Sequence, residues 1–260
     1  VSKRISELEA QLGIQLLVRT NKGVEPTAAG IGLLNLARSA LFRLDEISMQ
    51  MQEYATGARG LVRILANISA ITQFLPQDIK SFLEKHPHVK IQLQESISGD
   101  IVKAVSENSA DIGVFTVAPY REFIEVFPYH ADHLTMIAPK GHPLTRRRGV
   151  RFADALDYDF VGFHTGSSIN LLLLKAAGEL GRPLRMRIEV LGFDALCYMV
   201  SSGLGVAVLP ETVARTFAGV FGLRTIRLDE PWASRELRLG VRSYEGLPVA
   251  AKLLVDHLRR

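Results

Sequence analysis

From Ile5 to Leu17 the apolar residues Ile5, Leu8, Leu12 and Leu16 recur at three- and four-residue steps, which places them on one face of a short helix broken at Gly13. The segment VRTNKGVEPT follows, and its Asn21-Lys22-Gly23 turn between two extended pieces predicts a small hairpin. Thr27, directly after Pro26, is placed to cap a long helix that runs to about Tyr54. Along that helix Leu34, Ala37, Leu41, Leu44 and Met51 alternate three- and four-residue steps like the a and d positions of a heptad, and Ser48 and Ala55 continue the register weakly. Nothing nearby in the sequence is large enough to cover this seam, so the helix is expected to pair with a second copy of itself.

Beyond the break TGARG, residues 56 to 60, the period changes. LVRILAN, a helix through FLPQDIKSFLEKH, the strand VKIQLQES, a helix near DIVKAVSEN and the strand DIGVF form a β-α-β-α-β succession, which predicts a parallel sheet with covering helices. A second set starts after HLTMIAPKGHPL, with FVGFH, a helix from about Ser168 to Leu180, the strand RMRIEV, the helix FDALCYMVSSG and the strand VAVLP. Two such sets point to an α/β fold of two linked subdomains with a cleft between them.

Composition narrows the classes. The chain is 47% hydrophobic and 22% charged, and it has no apolar run long enough to span a bilayer, which argues against disorder and membrane insertion. The opening VSKRISELE is charged rather than a secretory signal, so the expected location is the cytoplasm. The single Cys197 fits a reducing compartment, excludes a disulfide framework and is expected to be buried in its helix. A net charge of +4 permits a nucleic-acid partner without demonstrating one.

VSKRISELEAQLGIQLLVRTNKGVEPTAAG resembles the second half of the LysR-type winged helix-turn-helix: a recognition helix running into an LE-x-x-LG segment, a wing with an Arg-Thr pair, and Thr-x-x-Gly at the linker helix. DIGVF after a helix, APKGHPL at a strand-to-loop junction and MVSSGLGVAVLP resemble the same family's effector domain. The resemblance covers essentially the whole chain. It implies a partial winged helix-turn-helix over 1–26, a linker and dimerisation helix over 27–57, and a two-lobed, periplasmic-binding-protein-like effector domain over 58–260. Subdomain I would take about 58–131 and 236–260, and subdomain II about 132–235, with hinges near Pro128 to His133 and Leu228 to Glu236. The family's DNA-binding domain begins with two helices ahead of the recognition helix, whereas this chain opens at Val1 on that helix, so it reads as a fragment. These 260 residues are expected to bind an operator poorly while still binding the effector.

On a recognition helix the first turns reach base edges, where Ser2, Lys3, Arg4 and Ser6 stand. By themselves these residues would read as a solvated helix face; the resemblance makes them the base-reading set. Arg19 and Lys22 on the wing would meet phosphates or the minor groove, and Glu7 and Glu9 would point away from DNA. In the effector domain, loops at the carboxyl ends of strands and helix N-termini favour an anion. Three junctions fit: Asn67 and Ser69 with Thr72; Ser96 and Ser98; and HTGSSIN, where Gly166 relaxes the backbone beside His164, Thr165, Ser167 and Ser168. Each cluster alone is explained by helix capping, but three at equivalent strand ends point to a cleft, which the resemblance makes the inducer site. Thr116 and Phe193 are further candidates for its wall. The expected effector is a small carboxylate or other anion, with promoter DNA, a dimer or tetramer of the chain and RNA polymerase as further implied partners.

No cofactor or metal is expected, because neither His86-Pro87-His88 nor the pair His130 and His133 has a Cys or carboxylate cluster to complete it. The G-x-G of SSGLGVAV lies between a helix and a strand, the wrong order for a dinucleotide loop, and no acid, base and nucleophile set marks an enzyme. The competing reading on architecture is a solute-binding protein of a transport system. Against it stand the first 57 residues.

Overall fold

Helix α1, Ser2–Leu12, turns its apolar residues to one side and stops where Gly13 takes a left-handed φ of 67°. The computed structural model describes residues 2–20, 23–56, 60–116 and 123–259, in two units, Val1–Gly57 and Ala58–Arg260. In the first unit Glu9 shapes the turn after α1: its Oε1 accepts the amides of Leu16 at 2.7 Å and Leu17 at 3.0 Å. The hairpin follows, β1 (Leu17–Thr20) antiparallel to β2 (Gly23–Pro26), with Leu17 opposite Pro26 and Thr20 opposite Gly23.

Thr27 then starts α2, Ala28–Thr56. Its Oγ1 accepts the Gly30 amide at 3.0 Å and donates to the Gln15 carbonyl at 2.8 Å, and its own amide donates to the Leu16 carbonyl at 2.9 Å. One side chain therefore caps the helix and fastens it to the turn before the hairpin. The approach is close enough that a Cβ on Gly30 would stand 2.1 Å from the Leu16 carbonyl oxygen, which is the physical content of the Thr-x-x-Gly motif. Along the 29-residue α2, Leu34, Leu41, Leu44 and Met51 of the expected seam are all exposed, as are Ile31, Leu36 and Ile47.

The second unit repeats one plan twice. In its first half β3 (Gly60–Ala66) lies parallel to β4 (Val89–Glu95) on one side and to β5 (Ile112–Phe115) on the other. Between these strands run α3 (Ile68–Gln73), α4 (Leu75–Lys85) and α5 (Ser98–Ser106). Asp111, just before β5, accepts both the backbone amide and the guanidinium Nη2 of Arg63 at 2.7 Å, so the ionic end of DIGVF pins β5 to β3. In the second half β8 (Phe160–Phe163) is parallel to β9 (Met186–Val190) and bridges in parallel to Val206, ahead of β10 (Ala207–Pro210). The helices here are α6 (Phe152–Ala155) after the short β7 (Gly149–Val150), α7 (Ser168–Glu179), α8 (Phe193–Ser201) and α9 (Glu211–Phe221).

The expectation of parallel sheets holds for these strand triplets and for the short pairing of β7 with the later strand Leu223–Leu228, but antiparallel strands close both halves. β6, Glu125–Pro139, is a single strand of 15 residues that belongs to both. Its first part pairs with β12 (Ser234–Val241), and its last part pairs with β10 and with β11 (Leu223–Leu228). β12 also pairs antiparallel with β5, and α10 (Val249–Leu258) closes the chain against the first half. Two main cores result: one around Ile64, Phe82, Val114, Leu237 and Leu254, the other around Leu134, Phe152, Phe160, Phe163 and Cys197. Burial, and then the charge of Asp194, push the Cys197 thiol up to about 12.

Candidate functional site

β3, β4 and β8 all end toward one cavity of about 350 Å³, so the three polar junctions converge. Asn67, Ser96, Ser98, His164, Thr165, Ser167 and Ser168 line it, together with Ile68, Ile97 and Leu191 and the carboxylates of Glu95 and Asp100. Asn67 is buried and serves as the N-cap of α3, its Oδ1 accepting the Ala70 amide at 3.0 Å. Its Nδ2 is buried with no partner among the described residues, and the same holds for His164 Nδ1. Ser98 opens α5 and Ser167 precedes α7; both are buried. The Ser98 and Thr116 hydroxyls stand 3.5 Å apart, so Thr116 buttresses the wall from the end of β5. Gly166, at a φ of 95°, brings its loop so near α5 that a Cβ there would meet Ile97 Cδ1 at 3.0 Å. The interior is thus neutral and rich in donors, and the two acids, Glu95 and Asp100, sit on the exposed rim.

Of the remaining candidates, Thr116 lines a neighbouring cavity and three others lie elsewhere. Phe193 is not wall but core: it begins α8, whose buried face carries Phe193, Leu196, Cys197 and Val200, and its ring meets Phe163 edge-on at 5.1 Å. Thr72 is exposed one turn along α3, and its hydroxyl donates to the Ile68 carbonyl at 2.7 Å. Ser69 is buried behind the cavity, where its Oγ accepts Arg235 Nη2 at 3.2 Å. The phase of α3 separates them: Asn67 and Ile68 face the cavity, and the next residue turns away.

Arg235 belongs to a network that the sequence did not disclose. It is the direct cross-strand partner of Asp132, pairing β12 with β6 where the chain passes between halves. Its Nε donates to Asp132 Oδ1 at 2.8 Å, and its Nη2 bonds Oδ2. Gln73 Nε2 donates to Asp132 Oδ2 and to the Ser69 carbonyl, both at 3.1 Å, and its Oε1 accepts the hydroxyl of Thr212 on α9. Both crossover strands and α3 are therefore joined through one carboxylate, and Gln73 links α9 to them.

On α1, Lys3, Arg4 and Ser6 are exposed, as a base-reading set requires. Ser2 is placed by its backbone at the start of α1, Arg19 by its backbone on β1, and Lys22 lies outside the described residues. Among the described residues no three metal-binding side chains cluster: His86 packs at a tilt against Phe82, and His130 stacks on Phe74. No helix among them is long and apolar enough to cross a membrane.

A two-lobed α/β unit with a polar cavity where its strand ends converge, in one chain with an exposed helix that opens on Lys3 and Arg4, a hairpin and a long helix, fits a ligand-sensing regulatory protein. Two family models match: the LysR substrate binding domain over residues 55–260 and the bacterial regulatory helix-turn-helix protein, lysR family, over residues 1–31. The chain belongs to the LysR family of transcriptional regulators. The transcriptional dual regulator GltC of Bacillus subtilis (strain 168) is 26% identical over 243 residues, covering 93% of this chain and 80% of that protein. Among solved structures, full-length CbnR complexed with its target DNA matches with a TM-score of 0.79 at 20% identity, over 100% of this chain and 88% of that one. The effector binding domain of QuiR in complex with shikimate matches with a TM-score of 0.68 at 17% identity, over 77% of this chain and 96% of that one. The chain is accordingly a transcription regulator with an effector-binding domain, and not an enzyme.

Proposed function

We propose that the 350 Å³ cavity binds a small anionic metabolite, a hydroxylated carboxylate, as the co-inducer of this regulator. The observation that carries this reading is the pair of buried, unpartnered nitrogens on two residues of its wall, Asn67 Nδ2 and His164 Nδ1, since a buried polar atom without a partner costs free energy that a ligand's polar group removes. A carboxylate accepts from Nδ2, from the Ser98 and Ser167 hydroxyls and from the first-turn amides of α5 and α7. Glu95 and Asp100 on the rim then accept from hydroxyl groups of the ligand. That QuiR is described with shikimate, itself a hydroxylated carboxylate, supports the class.

Calorimetry on the full chain with shikimate and glycerate, each beside its neutral methyl ester, tests the reading. The acids bind and the esters bind more weakly. Asn67→Asp keeps the oxygen that caps α3 and puts a second carboxylate oxygen where Nδ2 stood, so it weakens the acids at least about tenfold. Binding of cationic or sugar ligands only, or acids held equally well by Asn67→Asp, contradicts it.

The domain roles are assigned as residues 1–26 for DNA binding, 27–57 for dimerisation and 58–260 for sensing. Lys3 and Arg4, with Ser2 and Ser6, read base edges of promoter DNA, and Arg19 and Lys22 hold phosphates. The exposed aliphatic residues of α2 support pairing of two copies, and two such pairs form a tetramer. The ligand favours one angle between the halves by a few kcal/mol, which alters the spacing of the DNA-binding pairs, bends promoter DNA differently and admits RNA polymerase. Such a regulator works in the cytoplasm, where its promoter is.

A further inference from the structure

A second cavity, of about 480 Å³, adjoins the first and shares Ser168 with it, yet its chemistry is different. One wall is the face of α7 that carries Leu171, Leu172 and Lys175; the other is the alternate-residue face of β12 with Glu236 and Arg238, and Trp232 stands at its start. Arg235 contributes from β12 too, but its guanidinium is turned to Asp132. Leu171 leaves 55% of its surface exposed and so offers apolar surface to a ligand. The first cavity, by contrast, has neither lysine nor arginine on its wall.

The charges are unbalanced in favour of an anion. Glu236 Oε2 accepts Arg238 Nη2 at 2.7 Å and so answers one of the two cations. Among the described residues the acidic partner of Lys175 is Glu179, one turn along its own helix and outside the cavity, at 3.8 Å and with both side chains mostly exposed. That separation is beyond a hydrogen bond, and an ammonium carries three donors. A cavity of ligand-pocket size lined by aliphatic and indole surfaces, with a cation on its wall that has donors to give, suits a ring bearing one carboxylate.

We propose that this cavity is a second ligand site, for an apolar monocarboxylate of one ring, its body between Leu171, Leu172 and Trp232 and its carboxylate on Lys175 with help from Arg238. The site stands on its own walls and does not depend on what fills the first cavity.

Trp232 is the single tryptophan of the chain, so its emission reports directly on this site. Titrating the full chain with cyclohexanecarboxylate, which is transparent in that range, gives a saturable change, and cyclohexanecarboxamide binds at least about tenfold more weakly. The double variant Lys175→Met, Arg238→Met, at one exposed and one half-buried position whose aliphatic stems methionine replaces, keeps the circular dichroism and brings the acid down to the affinity of the amide. The proposal is overturned by the absence of a saturable change, by equal affinity for acid and amide, or by a double variant that binds the acid as before. A titration weakened by Asn67→Asp and untouched by the double variant would place the acid in the first cavity and overturns it equally.

Discussion

Removing the Asp132 carboxylate should destabilise the second unit more than any surface change to it. Asp132→Ala leaves the Arg235 guanidinium buried without a counter-charge, and it strips Gln73 Nε2 of one of two acceptors. The pair is well shielded, with 7% and 2% side-chain exposure for Arg235 and Asp132, so screening by solvent is small. At an effective dielectric of about 20, two unit charges about 4 Å apart attract by about 4 kcal/mol. Loss of one partner of such a pair costs about 3–5 kcal/mol. For a unit of roughly 200 residues, each kcal/mol lowers the melting temperature by about 2–4 °C, which puts Asp132→Ala about 10 °C below the parent. Arg235→Met costs a similar amount because it leaves the carboxylate alone. The double variant Asp132→Leu, Arg235→Met removes both charges and retains apolar volume, so it lies within about 2 kcal/mol of the parent. Urea unfolding followed by Trp232 emission reads this directly, since Trp232 packs on the core of the second half next to the crossover. Single-variant losses that add to the double within about 0.5 kcal/mol would refute the coupled network; so would an Asp132→Ala loss below about 1 kcal/mol.

Two further outcomes follow from the packing. Gly30→Ala forces the Leu16 carbonyl and α2 apart, costing about 1–3 kcal/mol, so hydrogen exchange in peptides from residues 2–56 accelerates while those of the second unit do not change; unaltered exchange around Leu16 and Thr27 contradicts the close approach. The Cys197 thiol, raised from 9.0 to about 12, stays protonated and enclosed, so Ellman's reagent at pH 8 reacts with about one thiol per chain after denaturation and with almost none before it. Because the folded value is the higher one, this group's contribution to stability is complete below pH 9 and is lost as pH rises toward about 12, which an alkaline unfolding series on Cys197→Ala against the parent detects.

The elements legible in the sequence were those whose burial repeats at their own period. α4, α7 and α8 carry helical spacing, and β3, β5 and β8 are short apolar runs between polar breaks, so each was found close to its position. β6 was not, because its first part, EVFPYHAD, is paired along its edges yet largely open on its faces, and Pro128 and a register shift opposite β12 disguise the strand. The candidate cavity was legible where strand ends fix it, at Asn67, Ser96, Ser98 and the loop from His164 to Ser168. Composition alone could not supply helical phase, and phase is what removes Ser69 and Phe193 from its wall. The second cavity left no local mark, since Lys175, Trp232 and Arg238 are far apart in the chain and each is unexceptional where it stands. The pairing of Asp132 with Arg235, 103 residues apart, exists only through the register of β6 and β12.

That shared strand has a consequence for how the protein can vary. Side chains alternate across a sheet with period two, so a residue inserted into or deleted from β6 without a bulge to absorb it would leave the strand in place in one half and invert its inward and outward positions in the other. The interior of either half can be rebuilt one side chain at a time, and the turn from Lys140 to His142 can lengthen at its tip, but the count of residues from Glu125 to Pro139 cannot drift. Length in this stretch is inherited by both halves together, as a single number.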